Sequence, residues 1–427
     1  MGALSVRYGT EYTTGNVAEA IYHATGSSAD WVKEFLDVPL VYIYELRDRG
    51  TFGHLLPPDQ ILPTSEETMD SIIDLIHQAK RFGAIDKETV SPYTRGRTPS
   101  MQFDTYYNLE GINAWINDLV RTYSEVTKLV GGVSYEGREI EGFRISHGSG
   151  RKIIFLEGGL HAREWISPAT VCFIANELLT STNPETRAAA RDFDWYIFPV
   201  TNPDGYVWSH TNFRMWRKNR RPIGNFFGVD LNRNWNSNWL VSGASTNPAT
   251  DTYAGPGPFS EPESRSLSTY LRSLGDRIDM YLSFHSFGEL LLIPFGNSTA
   301  PYANYHDAIN IGRRAMGALS VRFGTLYRTG NIAEAIYLAT GGSIDWVKED
   351  LNVPLVYCYE SRDRGQYGFL LPPEQILPNS QETMDSVLEL IHQGRRFGYL
   401  NNSGRILSPL LWVMIVALAK LLWVYKF

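Results

Sequence analysis

Residues 151–179 read "RKIIFLEGGLHAREWISPATVCFIANELL", and this stretch decides the fold. Residues 153–156 are four apolar positions in a row, closed by Gly158 and Gly159, which suits a strand covered on both faces. The apolar pattern after Ser167 runs on too long for a strand and reads as a helix. Three more runs resemble the first: "DWYIFPV" at 194–200, "DMYLSF" at 279–284 and "VPLVYCY" at 353–359. "SQETMDSVLELIHQGRRFG" at 380–398 carries apolar residues at helical spacing and has Gly398 as its stop. Buried strands alternating with helices predict an α/β fold with a mixed, mostly parallel central sheet flanked by helices on both faces.

In such sheets ligands gather at the carboxyl ends of the strands, so the residues that follow each run matter most. The first strand leads to His161 and Glu164, the third to His285, and the fourth to Glu360 and Arg362. The second leads to Asn202-Pro-Asp-Gly, which reads as a turn. His161-x-x-Glu164 joined by a distant His285 is the ligand set of a catalytic zinc: two imidazoles, one carboxylate and a fourth place for water. Taken singly, His161 would pass for a loop histidine and His285 for a satisfied core histidine; it is the combination that points to a metal.

Composition narrows the field from the other side. The chain has 427 residues, 43% hydrophobic and 13% aromatic, enough for a sizeable core. A net charge of −7 without a long basic stretch argues against nucleic acid as a partner. The only cysteines, Cys172 and Cys358, read as two buried thiols.

Six motifs then occur in order: "GGLHAREWISPAT", "TNPDGYVWSHTNFRMWRKNR", "GVDLNRNW", "SFHSFGELLLIPFG", "IYLATGGSIDW" and "YESRDRGQYGFLLP". Together they closely resemble the zinc metallocarboxypeptidases of the pancreatic carboxypeptidase A/B type, from about Phe103 to about Gly398. The resemblance implies a zinc-dependent exopeptidase that removes the C-terminal residue of peptides. It implies that His161, Glu164 and His285 hold one Zn2+, that Glu360 is the general base, and that Arg217 polarises the scissile carbonyl. Asn232 and Arg233 correspond to the clamp on the free α-carboxylate, a task for which the planar guanidinium fork is suited. Tyr337 corresponds to the mobile tyrosine that closes over that carboxylate, and Arg163 is expected to contribute further along the peptide. The position of Ile344 is the one that selects the C-terminal side chain in the family. An isoleucine there, with Ile332 and Ala339 lining the same pocket, implies a carboxypeptidase A-like preference for apolar and aromatic residues. The competing readings are a pseudoenzyme that binds peptide C-termini without cutting them, and a fusion artefact.

The sequence departs from the family pattern in several places. Phe287 stands where many relatives carry tyrosine, and Phe226, Phe227 and Ala249 stand where the digestive relatives place a disulfide. Cys358 falls beside the pocket, two residues before Glu360. Residues 1–83 repeat residues 316–398 without a gap, with 61 of 83 positions identical. The first copy has Tyr22 and Glu45 where the second has Tyr337 and Glu360, and Ala29 where the second has Ile344, but no partner for His161, Glu164 or His285. It is expected to lack its own chemistry; docked in place of the second copy it would give a circularly permuted enzyme. Residues 84–100 read as a linker in which Arg95 and Arg97 suit a trypsin-like cut, and residues 101–400 read as the catalytic domain. The apolar tail within 401–427 reads as a spanning anchor or a lipid-anchor signal. Sequons at Asn297 and Asn401 fit an extracellular or cell-surface enzyme, acting as a monomer on peptide C-termini. The family's signal peptide and prodomain are not visible ahead of the repeat, and an upstream signal is expected.

Overall fold

The computed structural model describes residue 33 and residues 40–46, 57–81, 101–148 and 150–400. Tyr22, Ala29, the linker at 84–100 and the tail at 401–427 lie outside the described residues. The chain divides into two compact units, Met1–Arg95 and Gly96–Phe427. In the first unit, a 3-10 turn at Pro58–Gln60 leads into helix α1 (Ile61–Arg81). Tyr44 and Ser71 share a hydroxyl–hydroxyl hydrogen bond of 2.9 Å there.

The second unit is built on one eight-stranded sheet. In chain order its strands are β1 (Val126–Val133), β2 (Glu139–Ile145), β3 (Ile153–Glu157), β4 (Asp194–Phe198), β7 (Ile278–Ser286), β8 (Leu290–Ile293), β9 (Arg328–Asn331) and β10 (Leu355–Ser361); β5 (Pro222–Ile223) and β6 (Phe226–Phe227) form a separate small hairpin. The spatial order is β1-β2-β4-β3-β7-β10-β8-β9. The four central strands, β4-β3-β7-β10, run parallel. These are the four apolar runs of the sequence, and every residue of β3, β4 and β7 is buried. Antiparallel pairs join β1 to β2, β2 to β4 and β8 to β10, while β9 adds in parallel to β8, so the sheet is mixed and mostly parallel.

Helices cover both faces. Alternate residues of a strand point to opposite sides, and the core divides accordingly. Ile154, Leu156, Leu282, Phe284, Tyr357 and Tyr359 pack with α2 (Leu109–Thr122), α3 (Ile166–Thr180), α7 (Tyr305–Phe323) and α10 (Ile376–Arg396). On the other face Ile153, Phe155, Tyr281, Val356 and Cys358 pack with α6 (Pro262–Leu274) and α9 (Ser343–Asp350). Cys172 and Cys358 are both free and buried, one in each of these layers. The remaining helices are α4 (Pro184–Asp192), α5 (Pro203–Thr211) and the single turn α8 (Ile332–Ala335). In this unit Tyr359 and Ser386 share a hydroxyl–hydroxyl bond of 2.8 Å, and a 3-10 turn at Pro373–Gln375 leads into α10, the arrangement seen at the matching positions of the first unit.

Asn202-Pro-Asp-Gly departs from its reading as a turn: it starts α5. The Asn202 side chain accepts from Gly205 N–H at 3.0 Å, and Pro203 occupies the first helical position, where its missing N–H costs nothing. Among the described residues no helix is long and apolar enough to cross a membrane.

Candidate metal centre and active site

The loop after β3 is shaped by its glycines. Gly159 has φ +63°, and a Cβ there would meet the backbone of Pro199 and Val200 at 3.0 Å, so no larger residue fits without strain. Gly158 N–H donates to Phe198 O at 2.9 Å, and Ala162 N–H donates to Arg217 O at 3.0 Å. These bonds present His161 and Glu164 above the sheet, over the end of β7 from which His285 projects.

His161, Glu164 and His285 converge, all three buried, with ligand atoms within 4.8 Å of one another. His161 Nδ1 lies 2.8 Å from Glu164 Oε1, and His285 Nδ1 lies 2.9 Å from Glu164 Oε2 and 3.0 Å from His161 Nδ1. The far nitrogen of His161, Nε2, lies 3.1 Å from Asp230 Oδ1. A neutral imidazole carries one proton, yet both His161 nitrogens face carboxylate oxygens. With the proton on the Asp230 side, Nδ1 turns a lone pair toward the other electron-rich atoms. Two imidazole nitrogens and a carboxylate around one point form a donor set that fits a zinc ion.

Electrostatics around the cluster are set by mutual contact. Burial alone would raise Glu164, but His161 and His285 outweigh it and hold its carboxyl far below the carboxylate range. Burial also works against ionised Asp230, where Arg217 and His161 prevail and hold it well below its ordinary value. Arg217 Nε and Nη2 donate to Asp230 Oδ2 at 3.1 and 2.9 Å, and Nη1 lies 3.8 Å from Glu164 Oε1. Asp230 thus ties Arg217 to His161. The motif reading missed it: it sits in "GVDLNRNW" with no periodic pattern, and its one local signal is capping, since Oδ1 accepts from Asn232 N–H at 3.0 Å.

Glu360 is the register partner of His285 across β10 and β7, partly open to solvent, and burial pushes its carboxyl up. Asn232 Oδ1 accepts from Ser343 N–H at 3.0 Å. Arg233 is buried and donates to Gly243 O, Asn232 O and the Tyr337 hydroxyl at 2.8, 2.8 and 3.2 Å. Tyr337 itself is 51% exposed. Ile344 is buried in one apolar cluster with Cys358, and Ile332 packs against that cluster. Ala339 N–H donates to Gly296 O at 2.8 Å. Arg163 engages elsewhere: it pairs with Asp251 at 2.9 Å and lies over the Phe369 ring at 4.2 Å.

Asp345, beside Ile344, gives a first testable consequence. It is buried; Oδ2 accepts from Gly296 N–H at 2.8 Å and Oδ1 has no partner. Burial pushes its carboxyl up to about 7 from an ordinary 3.8. Between those values the unfolded chain has released the proton and the folded chain still holds it, so stability falls as pH rises through this window and levels off above it. Asp345→Asn keeps an acceptor for Gly296 and removes the titration. The Tm of the variant relative to wild type is expected to climb from pH 5 to pH 7.5; parallel Tm curves over that range would contradict this.

Comparison with known proteins agrees with this geometry. A family model described as "Zinc carboxypeptidase" matches residues 2–71 and 112–386. A protein named "Zinc carboxypeptidase" from Simulium vittatum is 48% identical over 302 residues, covering 70% of this chain and 99% of that protein. "Zinc carboxypeptidase A 1" from Anopheles gambiae is 39% identical over 367 residues, 84% of each chain. Among solved structures, carboxypeptidase A from Helicoverpa armigera superposes with a TM-score of 0.65 at 28% identity, covering 80% of this chain and 88% of that one.

Proposed function

This chain belongs to the zinc carboxypeptidase family and is a metallocarboxypeptidase, a C-terminal exopeptidase; from that premise we propose that it prefers apolar and aromatic C-terminal residues and works through the residues assembled around His285. The observation that carries the preference is Ile344, 4% exposed and apolar where a basic side chain would need a counter-charge. The neighbouring Asp345 does not supply one, since its carboxyl is turned to Gly296 and burial favours its neutral form.

His161, Glu164 and His285 would hold the zinc, which would supply Lewis acidity toward the scissile carbonyl and make a water more acidic. Glu360 takes the proton of the attacking water on its carboxylate and delivers it to the leaving amine nitrogen. Arg217, oriented by Asp230, donates toward the carbonyl oxygen as charge develops there. Arg233 and Asn232 hold the terminal carboxylate of the substrate, and Tyr337 closes over it; its bond to Arg233 supports a position from which it reaches the same anion. Arg163 contacts the peptide further from the scissile bond. Ile332, Ala339 and Ile344 line the side-chain pocket.

Residues 1–83 are a second copy of the last third of this fold, a reading supported by the 61 shared positions and by the Tyr44–Ser71 bond that matches Tyr359–Ser386. Without counterparts of the three metal residues the copy has no hydrolytic role. The enzyme acts outside the cell or at its surface, a reading supported by the sequon at the partly exposed Asn297. Hydrolysis of hippuryl-Phe and hippuryl-Arg tests the preference. A kcat/KM ratio of about 10² or more in favour of Phe is expected, and faster cleavage of hippuryl-Arg would overturn the reading.

A further inference from the structure

Three parallel strands place a second row of polar side chains beneath the catalytic one. Across β3, β7 and β10, Glu157 is the register partner of Ser283, and Ser283 of Cys358. Two residues further along, His285 is the partner of Glu360. Residues two apart on a strand project to the same face, so the row of Glu157, Ser283 and Cys358 lies on the catalytic face, one step deeper in the sheet.

Glu157 is fully buried. Its Oε1 accepts from two hydroxyls, Ser283 Oγ and Ser343 Oγ, each at 2.9 Å. Ser343 is the first residue of α9, and Ile344 is the second. The Ser343 backbone N–H is held at the same time by Asn232 Oδ1 at 3.0 Å. One residue thus fastens the start of α9 to the sheet through its hydroxyl and to Asn232 through its amide. The turn before it has no slack: Gly341 has φ +78°, and a Cβ there would meet Arg233 O at 2.4 Å.

A buried carboxylate is unfavourable unless its contacts compensate, and this one is incompletely matched. Its Oε2 makes no hydrogen bond of ordinary geometry, and the buried hydroxyl of Tyr281, two residues before Ser283, stands beside the same carboxyl and Ser343. A site that tolerates this mismatch while holding two hydroxyls from different elements is one where position is being fixed.

We propose that Glu157 is a positioning residue for the side-chain pocket: through Ser343 it sets the first turn of α9, and with it Ile344, against Asn232 and Arg233. The proposal rests on the reading that Ile344 lines that pocket. Glu157 does not touch the substrate; it determines how well a large C-terminal side chain fits once the terminal carboxylate is clamped.

The test is a series of blocked dipeptides ending in Ala, Leu and Phe, assayed with the full chain carrying Glu157→Leu, which keeps the volume but removes the acceptor, or Ser343→Ala. Both variants are expected to lower kcat/KM for the Phe substrate by about 10-fold or more, chiefly through KM, and for the Ala substrate by less than about 2-fold, because a displaced wall matters in proportion to what fills the pocket. The double variant is expected to add little to either single one, since both break the same link. A merely structural role would lower all three substrates equally, and that result, or no change in the Phe-to-Ala ratio, overturns the proposal. Should Glu157→Leu not fold, Ser343→Ala decides by the same ratio. Ile344→Ala run alongside separates the two readings. If it leaves the ratio unchanged, the pocket assignment fails and this proposal with it. If it collapses the ratio and Glu157→Leu and Ser343→Ala do not, only this proposal fails.

Discussion

Glu360→Gln is expected to lower kcat/KM by about 10³-fold or more, within the range found for positioned general bases, whereas Glu45→Gln is expected to leave it within about 2-fold. The two glutamates occupy equivalent places in the two copies of the repeat, and Glu360 is the one in the copy that continues directly from the metal residues, with the shorter loop to close. Glu360 stands beside His285 in the register of adjacent strands, on the face where the metal residues meet. Glutamine preserves its volume and removes its ability to carry a proton. Because Glu360 is not one of the three converging residues, the variant is expected to keep its full zinc content, which separates lost proton transfer from a lost metal. The pair of variants also tests the permuted arrangement. Loss of activity in Glu45→Gln alone would mean that the first copy supplies the working base.

The parts of this protein that the sequence makes legible are those in which burial leaves a local mark. The central strands are unbroken apolar runs because both of their faces are covered, and the polar residues at their ends are conspicuous for that reason: His161, Glu164, His285 and Glu360 all follow such a run. The outer strands leave no such mark. β9 is Arg-Thr-Gly-Asn, β8 is four residues long behind the nine of β7, and β1 contains two glycines and a register shift between Val130 and Val133. Gly131 and Gly132 are there because Phe198 and Ser266 pack where a Cβ would be, a tertiary reason that no periodicity carries. Asp230 and Glu157 were hidden differently. Each acts through a partner far away in the chain, 69 residues between Asp230 and His161 and 186 between Glu157 and Ser343. A lone acid in a loop or at a strand end gives no hint of such a partner. The motifs pick out the residues proposed to meet the substrate, while the residues hydrogen-bonded behind them become visible only with the fold.

Stripping the metal is expected to abolish hydrolysis, and restoring one zinc per chain to recover it. The expectation follows from proton bookkeeping at His161. Its Nε2 faces Asp230 at 3.1 Å and its Nδ1 faces Glu164 at 2.8 Å and His285 at 3.0 Å, so a neutral ring satisfies one side and opposes the other. A cation held by His161, Glu164 and His285 would resolve the conflict and leave the proton between Nε2 and Asp230, which also holds Arg217. Its removal therefore disturbs Arg217 as well as the metal residues. The metal-free chain is expected to show a lower Tm, since binding to the folded state alone stabilises it. Asp230→Asn is expected to weaken zinc binding by about 10- to 100-fold, the usual cost of losing a partner behind a ligating histidine. Stoichiometry provides the sharper check, because residues 1–83 lack counterparts of His161, Glu164 and His285. Elemental analysis of the full chain should give one zinc and not two. Two zinc atoms per chain, or undiminished hydrolysis after exhaustive chelation, would refute the assignment of these three residues as the sole centre.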